Sequence, residues 1–398
     1  MKQLLTLMVA AISIYALCSC SNLEEGTIDL DYSPEEKTEF YIPSKFTHPG
    51  IMHTAADIER WREIVANEEQ PAFECWQKFA ADAHSKSNYS LRGPYAEIYR
   101  GNDNGTRPTV QGNYESDFNA AYQNAVMYAV TQDEAHAKKA VEVLMAYANT
   151  LKAIVAGDQP LLAGIMGTKF MYAAELICYT YPEGMTDENF AKVCAMFKNV
   201  FVPVLEKFFV TPPYTNGNWG ASVCMSYMAA AVLFDDVDMY RKAVDFYVYG
   251  HDNGTILNYV DGQTGQCQES GRDQAHAQLG LACLSVSCEI AWKQGTDLYG
   301  YDDNRLMKGF EYTAKYNVGY ENLPFKTWKD VTGKYCNWTV ISESKRGEFR
   351  PVYEMPYNHY VRRKSYQMPF TEKVLDRISP EGYYYEHFGF GTFLFYDK

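Results

Sequence analysis

The chain has 398 residues, 47% of them hydrophobic and 22% charged, enough to bury a large core and too apolar for a disordered chain. Its net charge of −14 excludes nucleic acid or a broad anionic surface as partner, and leaves a polyanion only where a local basic cleft overrides that field. Aromatics reach 15%, with 33 Tyr; a flat apolar face with a polar tip suits large cores and the stacking of sugar rings.

In chain order, Lys2 precedes the apolar run 4–17, too short to span a bilayer comfortably, which closes on Leu17-Cys18-Ser19-Cys20. This resembles a bacterial lipoprotein signal. The resemblance implies a signal peptide over 1–19, cleavage before a lipidated Cys20 and an acidic tether over 20–42. The protein would then be anchored by lipid to the outer membrane, in the periplasm or at the cell surface. Eight Cys remain after Cys18 and Cys20. Cys178, Cys194, Cys224, Cys283 and Cys288 fall in apolar helical patterns, where thiols act as small hydrophobes. No CxxC or Cys/His spacing points to zinc, and the sequence selects no disulfide pair.

Apolar spacing predicts helices over 54–67, capped by Thr54, and over 70–84. Residues 85–113 are crowded with Gly, Asn and Pro, carry Arg92, Arg100 and Arg107, lack a helical period, and read as a lid over a site. Helices follow at 117–131, 133–154, 161–181, 187–208, 220–234, 236–249, 271–294 and 305–316, joined by short breaks rich in Pro, Gly, Asn or Asp. Helices alternating this way predict stacked antiparallel hairpins, and the lack of a strict repeat argues against a fixed-motif solenoid. The expected fold is all-α: an α/α toroid, or incomplete α/α barrel, with a ligand cleft at one end of its inner helices. After Gly319 the period blurs. Residues 338–342 read as a strand, 351–364 as a helix, and 383–396 as an aromatic, Gly-interrupted segment. No linker sets this less regular tail apart, so 43–398 is expected to be one domain.

The chemistry concentrates in a few stretches. Ser270-Gly271-Arg272-Asp273 opens the helix predicted over 271–294, with Ser270 and Asp273 as capping side chains. Arg272 and His276 stand four apart and share a face. The positive helix end and the guanidinium both disfavour a charged imidazole, so His276 is expected to be neutral near pH 7, a base beside an anion clamp. The competing reading is a surface Arg and a hydrogen-bonded His. In the loop 212–220, Asn218 can donate its amide to an anion and Trp219 can form a platform, or Asn218 simply caps the next helix. Tyr299 leaves the far end of the Arg272/His276 helix, about 34 Å from His276 if that helix is straight. His359, Tyr360 and Arg362 offer contacts to a charged sugar or line a polar surface helix. Asn119, Tyr122 and Gln123 fall near one face, suited to sugar hydroxyls or to packing.

Several segments together resemble the alginate-lyase-type polysaccharide lyases: HPGIMHTAADIERWRE from His48, NAAYQNAVMYAVT from Asn119, NGNWGAS from Asn216, ESGRDQAHAQLGLA from Glu269, GTDLYGYDDNRLMKGFEYTAKYN from Gly295 and YEMPYNHYVRRK from Tyr353. They run in order through nearly the whole chain after the signal. The resemblance implies an α/α toroid that cleaves an anionic polysaccharide of uronates, alginate first, by β-elimination, with no cofactor and no metal. It gives Asn218 the neutralisation of the uronate carboxylate with Arg272 assisting, and makes His276 the base or the neutraliser's partner, with His359 competing. A Tyr would protonate the leaving oxygen, Tyr299 first and Tyr360 as fallback, or a single Tyr would serve as base and acid. Trp219, Asn119, Tyr122, Gln123, Glu269, His359, Tyr360 and Arg362 would contact substrate. One departure is plain: Trp219 follows Asn218, where related lyases often carry His. Two other readings stand beside this one, a noncatalytic glycan-binding lipoprotein and a toroid glycoside hydrolase using Glu269 and Asp273, which lie too close on one helix to flank a sugar.

Overall fold

The computed structural model describes residues 37–101 and 110–397; the signal segment, Cys20, the first part of the tether and Arg107 lie outside the described residues. Helices α1 (Ala55–Asn67) and α2 (Ala72–Ala81) lead into the hairpin of α3 (Gln111–Thr131) and α4 (Glu134–Thr150). Next come α5 (Gln159–Thr180), α6 (Asp187–Met196) and α7 (Val202–Val210), then α8 (Gly217–Leu233) with α9 (Val237–Tyr249) and the single turn α10 (Ile256–Tyr259). The long helix α11 (Gln274–Lys293) pairs with α12 (Tyr301–Asn317), and the tail holds α13 (Glu354–Tyr357), α14 (Pro369–Ile378) and α15 (Gly391–Leu394). Neighbouring α3, α5, α8 and α11 pack side by side as the inner layer, and α4, α6–α7, α9 and α12 return outside them. This is the α/α toroid expected from the alternation of helices. Inner helices are apolar all round: every α5 residue from Leu161 to Ile177 is buried. Outer α4 buries only the stripe Ala137, Ala140, Val143, Leu144 and Tyr147.

Element ends follow local chemistry. Thr54 accepts from the Asp57 N–H while Asp57 accepts from the Thr54 N–H, a complete capping box. At α11 the cap is Asp273, whose carboxylate takes the His276 N–H at 2.8 Å; Ser270 instead accepts from the Cys267 N–H. The run expected as one helix over 187–208 widens into a π segment, Phe197–Phe201, before α7. Pro203, without an N–H, cannot bond back to Asn199 at that point. Helix α4 stops at Thr150 because Ala153–Ile154 pair in parallel with Glu97–Ile98, giving the lid segment a short strand. Residues 302–304 carry left-handed φ, so right-handed α12 begins near Arg305, where the sequence placed it.

Residues 326–344 form no strand. They run as an irregular strap zipped to the turn before α11: the Ser342 N–H bonds to the Ser270 carbonyl at 3.0 Å, and the Gln274 N–H to the Ser344 carbonyl at 3.0 Å. Gly271 has no side chain because the Trp338 Cβ occupies that space. The segment expected as a helix over 351–364 is α13 followed by a π segment, Asn358–Arg363.

The aromatic tail fills the toroid. Phe388 stacks on Tyr172 at 5.1 Å and meets Tyr122 at 5.8 Å, while Phe393 packs on Trp61, Trp76 and Phe79. Buried Lys169 on α5 holds this plug by donating to the Tyr385 carbonyl at 2.7 Å and to Asn119 Oδ1 at 2.9 Å. At the C-terminal end of α11 a closed ring of alternating charges staples four segments together. It runs Arg60–Asp57–Lys293–Glu289–Arg363–Asp397 and back to Arg60, with contacts between 2.8 and 3.3 Å.

Glu381 anchors the plug by accepting the Tyr353 N–H at 3.0 Å. Burial, with the neighbouring Glu354 charge adding to it, pushes its carboxyl up to about 8. A folded-state value above the unfolded one stabilises the fold fully below about pH 4.5, and that stabilisation is lost as pH rises toward 8. Glu381→Gln, which mimics the protonated form, is expected to flatten this decline. Between pH 5 and 8 its unfolding free energy should fall less than that of the wild type, by about 3 kcal/mol, seen as a smaller drop in melting temperature; parallel curves would refute the assignment.

Candidate active site

The first turns of α8 and α11 meet at one end of the toroid around a buried carboxylate. Glu269, fully buried, accepts the Asn218 backbone N–H at 3.0 Å and the Asn218 amide at 2.7 and 3.0 Å, and pairs with Arg272 at 2.8 Å. The Tyr259 hydroxyl donates to the same carboxylate at 3.1 Å, and it lies where a side chain on Gly280 would fall. Burial pushes the Glu269 carboxyl up, against the pull of Arg272, His276 and Asn218. This hub fixes Asn218 and Arg272 in one place. The amide N–H₂ of Asn218 is committed to Glu269, and its buried Oδ1 has no protein partner. Arg272 is 31% exposed, so its guanidinium is the cation of the hub that faces outward.

One turn on, His276 Nδ1 lies 2.7 Å from Asp273 Oδ2. Burial works against the Asp273 charge, but the bonds from His276 hold its carboxyl below the usual range. An ionised carboxylate only accepts, so Nδ1 carries the hydrogen of that bond, and of the two neutral tautomers this one puts the lone pair on Nε2. The sequence reading weighed only the helix end and the guanidinium beside His276; the structure adds the Asp273 carboxylate, which orients the ring through Nδ1. The ring is 34% exposed, accessible to a ligand.

The strap supplies a Tyr to the same place. Asp330 accepts the Tyr335 N–H at 2.9 Å, the Tyr335 hydroxyl donates to the Tyr214 carbonyl at 3.3 Å, and its ring stacks on Trp338 at 6.2 Å. Burial raises its phenol, while the charges of Arg272 and Glu269 both reach it. Beneath this, burial drives the Asp252 carboxyl up to about 7.

A second constellation shares the mouth. Glu386, at the top of the C-terminal plug, bridges Arg100 and Arg350, the latter at 3.1 Å. The Arg350 backbone N–H donates to Gln278 on α11 at 2.9 Å, two residues after His276 and on another face of that helix. Buried Cys283 feels Glu386, Arg350 and Glu269 together, which places both constellations around one stretch of α11. Burial lowers the Lys169 ammonium to about 7, despite Glu115 and Glu386, and lowers the His387 imidazole well below its ordinary value. Among the described residues no group of three or more His, Cys, Asp or Glu side chains is placed to hold a metal ion.

Thus Asn218, Arg272 and His276 come together, with Glu269 beneath them and Trp219 in the same turn, edge-on to Tyr214 at 6.2 Å. Glu269 is the support of the site and not a surface that a sugar touches. The other sequence candidates lie elsewhere. Tyr299 is fully buried, donates to Glu289 at 3.0 Å and stacks on His359 at 3.8 Å. Glu289 is thirteen residues beyond His276, about 20 Å along α11. Tyr360 is buried there too, bonded to the Tyr299 carbonyl at 2.9 Å, and Arg362 pairs with Glu354. These residues close the far end of the toroid, so the polar, aromatic 354–363 segment is interior scaffold. Tyr122 bonds His53 at 2.6 Å and Gln123 accepts from Ser85 at 2.8 Å, both buried; Asn119 holds Lys169. None of the three presents a face to a ligand.

Sequence reasoning missed Tyr335, Arg350, Glu386 and Lys169. The first three sit where helical period is lost, and Lys169 is the one cation in the apolar run 161–177, a signal that was there to be read.

A family model described as alginate lyase matches residues 77–323. No curated protein sequence matches the chain. Among solved structures, alginate lyase A1-III from Sphingomonas species A1 superposes with a TM-score of 0.61 at 12% identity, over 86% of this chain and 95% of that one. A variant of alginate lyase A1-III complexed with a tetrasaccharide gives 0.64 at 12% identity, over 88% and 95%. An alginate lyase from Bacteroides ovatus gives 0.58 at 12% identity, over 82% and 96%. At such identities the likeness is one of fold.

Proposed function

The chain belongs to the alginate lyase family and is a polysaccharide lyase, and from that premise we propose that it cleaves a uronate polymer, alginate first, by β-elimination at the mouth built by α8, α11 and the strap. The hydrogen on C5 of a uronate is barely acidic because the adjacent carboxylate resists a second negative charge. Arg272, held outward by Glu269, neutralises that carboxylate. Asn218 is the second polar group beside it, and its unpartnered Oδ1 suits a sugar hydroxyl. His276 Nε2 takes the C5 hydrogen as a proton, the C5–H electrons form the C4=C5 bond, and the C4–O bond breaks toward the leaving sugar. Tyr335 gives its hydroxyl proton to that oxygen, and burial favours the protonated phenol that this role needs. Trp219 and Trp338 flank the reacting sugar. A lipid anchor at Cys20 would hold the enzyme at the outer membrane, facing polymer outside the cytoplasm.

The observation that carries the reading is the pairing of an outward Arg272 on a buried Glu269 with an Asp273-oriented, accessible His276 one turn away. Incubation with a panel of uronate polymers tests it. Elimination leaves a conjugated C4=C5 uronate, so ultraviolet absorbance should rise with at least one polymer, and His276→Ala should suppress the rise about 10²–10⁴-fold. Silence on mannuronate, guluronate and glucuronate polymers alike would overturn it.

A further inference from the structure

We infer that the C-terminal plug carries a second sugar subsite, with Tyr385 as its stacking platform and Arg100 and Arg350 as its carboxylate-reading cations; this rests on the reading of the enzyme as a lyase of uronate polymers.

Tyr385 is 39% exposed, unusual for an aromatic in a segment that otherwise fills the toroid. One face of its ring stacks on Tyr384, at 5.0 Å and 20°, and among the described residues no second ring stacks on it. Tyr384 in turn lies over the Arg350 guanidinium at 5.2 Å and against His387 at 5.2 Å. The backbone beneath is pinned, because the Tyr385 carbonyl accepts from Lys169 at 2.7 Å. A rigid, solvent-facing ring backed by a ladder of flat groups is the geometry a sugar's C–H face requires, and little freedom is lost when a ligand settles on it.

The charges beside it fit an acidic sugar. Arg100 and Arg350 share the single carboxylate of Glu386, with Glu115 3.4 Å from Arg100. Lys169 lies below as a third basic group, its ammonium lowered to about 7 by burial, so the two guanidiniums face Glu386 and Glu115 with some positive charge to spare in a chain of net charge −14. Guanidinium forks match carboxylates edge-on. A polyuronate carries one carboxylate per sugar, so a sugar away from the cleaved bond needs the same neutralisation. The Arg350 bond to Gln278 sets this platform against the same first turns of α11 that carry His276.

The test is Tyr385→Ala and Tyr385→Phe in the full chain, read on a uronate polymer. Tyr385→Ala should raise KM about three- to tenfold with kcat held, and shift the product sizes. Tyr385→Phe, which keeps the ring, should behave as the wild type. Retardation in native gels containing the polymer gives a readout free of catalysis, and Tyr385→Ala should weaken it. Unchanged KM, product sizes and retardation in Tyr385→Ala would overturn the subsite. Should the wild type cleave no uronate polymer yet be retarded by one, and Tyr385→Ala lose that retardation, the lyase reading falls and the subsite stands.

Discussion

Tyr335→Phe is expected to lower kcat by about 10²–10⁴-fold on whichever uronate polymer the enzyme cleaves, whereas Tyr299→Phe should leave kcat unchanged. The sequence put Tyr299 forward as the acid and passed over Tyr335, and the fold separates the two. Tyr335 reaches the site from the strap, with its N–H on Asp330, its ring on Trp338 and its hydroxyl on the Tyr214 carbonyl. A Phe preserves the ring stack and the backbone bond, so a loss of rate would report the proton and not the loop. KM should stay near the wild-type value, because the missing hydroxyl matters only once the C4–O bond breaks. Tyr299 lies at the other end of α11, and its hydroxyl serves Glu289 and the Ser285 carbonyl. Its loss leaves a buried carboxylate short of one donor, a stability cost of about 1–3 kcal/mol. Steady-state kinetics and denaturant melts on both variants decide the matter. A Tyr335→Phe enzyme that keeps its rate, or a Tyr299→Phe enzyme that loses it, would return the acid to the far end of the helix.

Why the helices were legible and half of the site was not follows from what local sequence encodes. Inner helices such as α5 and α8 read clearly because they are long, apolar and bounded by Gly, Pro or Asp. Asn218, Arg272 and His276 were found because each sits within a turn of a helix start, where spacing along the chain is also spacing in space. Tyr335 and Trp338 lie on a strap with no period, and their partners, Tyr214 and Gly271, are more than 60 residues away in sequence. Only tertiary contact makes them neighbours. The mistaken assignment of His359, Tyr360 and Arg362 has the opposite origin. A dense run of polar aromatics and cations looks like a binding surface, yet here burial is balanced by Tyr299, Glu289 and Glu354 from other segments. The helical pattern of 354–363 could not show which side faced inward. Asn119, Tyr122 and Gln123 failed in the same way: α3 is buried on every side, so a polar residue on it meets protein.

Arg363→Met is expected to be among the most destabilising single changes outside the site, at about 3–5 kcal/mol. Its guanidinium bonds both oxygens of Glu289, at 3.0 and 3.1 Å, and Asp397 at 3.1 Å, closing the ring of six charges. Glu289 is fully buried; burial alone would push its carboxyl up, but Arg363 and Lys293 outweigh that and hold it down. A depressed folded-state value stabilises the fold above the unfolded value near pH 4.5, and the contribution is lost as pH falls through the folded one. Arg363→Met should therefore lose stability at neutral pH and be less sensitive than the wild type to acidification. Removing Glu289 as well leaves Arg60, Lys293, Asp57 and Asp397 in balance, so Glu289→Met/Arg363→Met should recover part of the loss. Replacing both partners of a buried pair by apolar groups is milder than orphaning one. Catalytic constants should stay at the wild-type level in both variants at temperatures where they are folded, because the ring lies about 20 Å or more along α11 from His276. Urea melts at neutral and acidic pH, paired with kinetics, measure all of this. If Arg363→Met were as stable as the wild type but slow on substrate, the 354–363 segment would be a sugar-binding element after all, and the far end of the toroid, not the strap, would have to be searched for the acid.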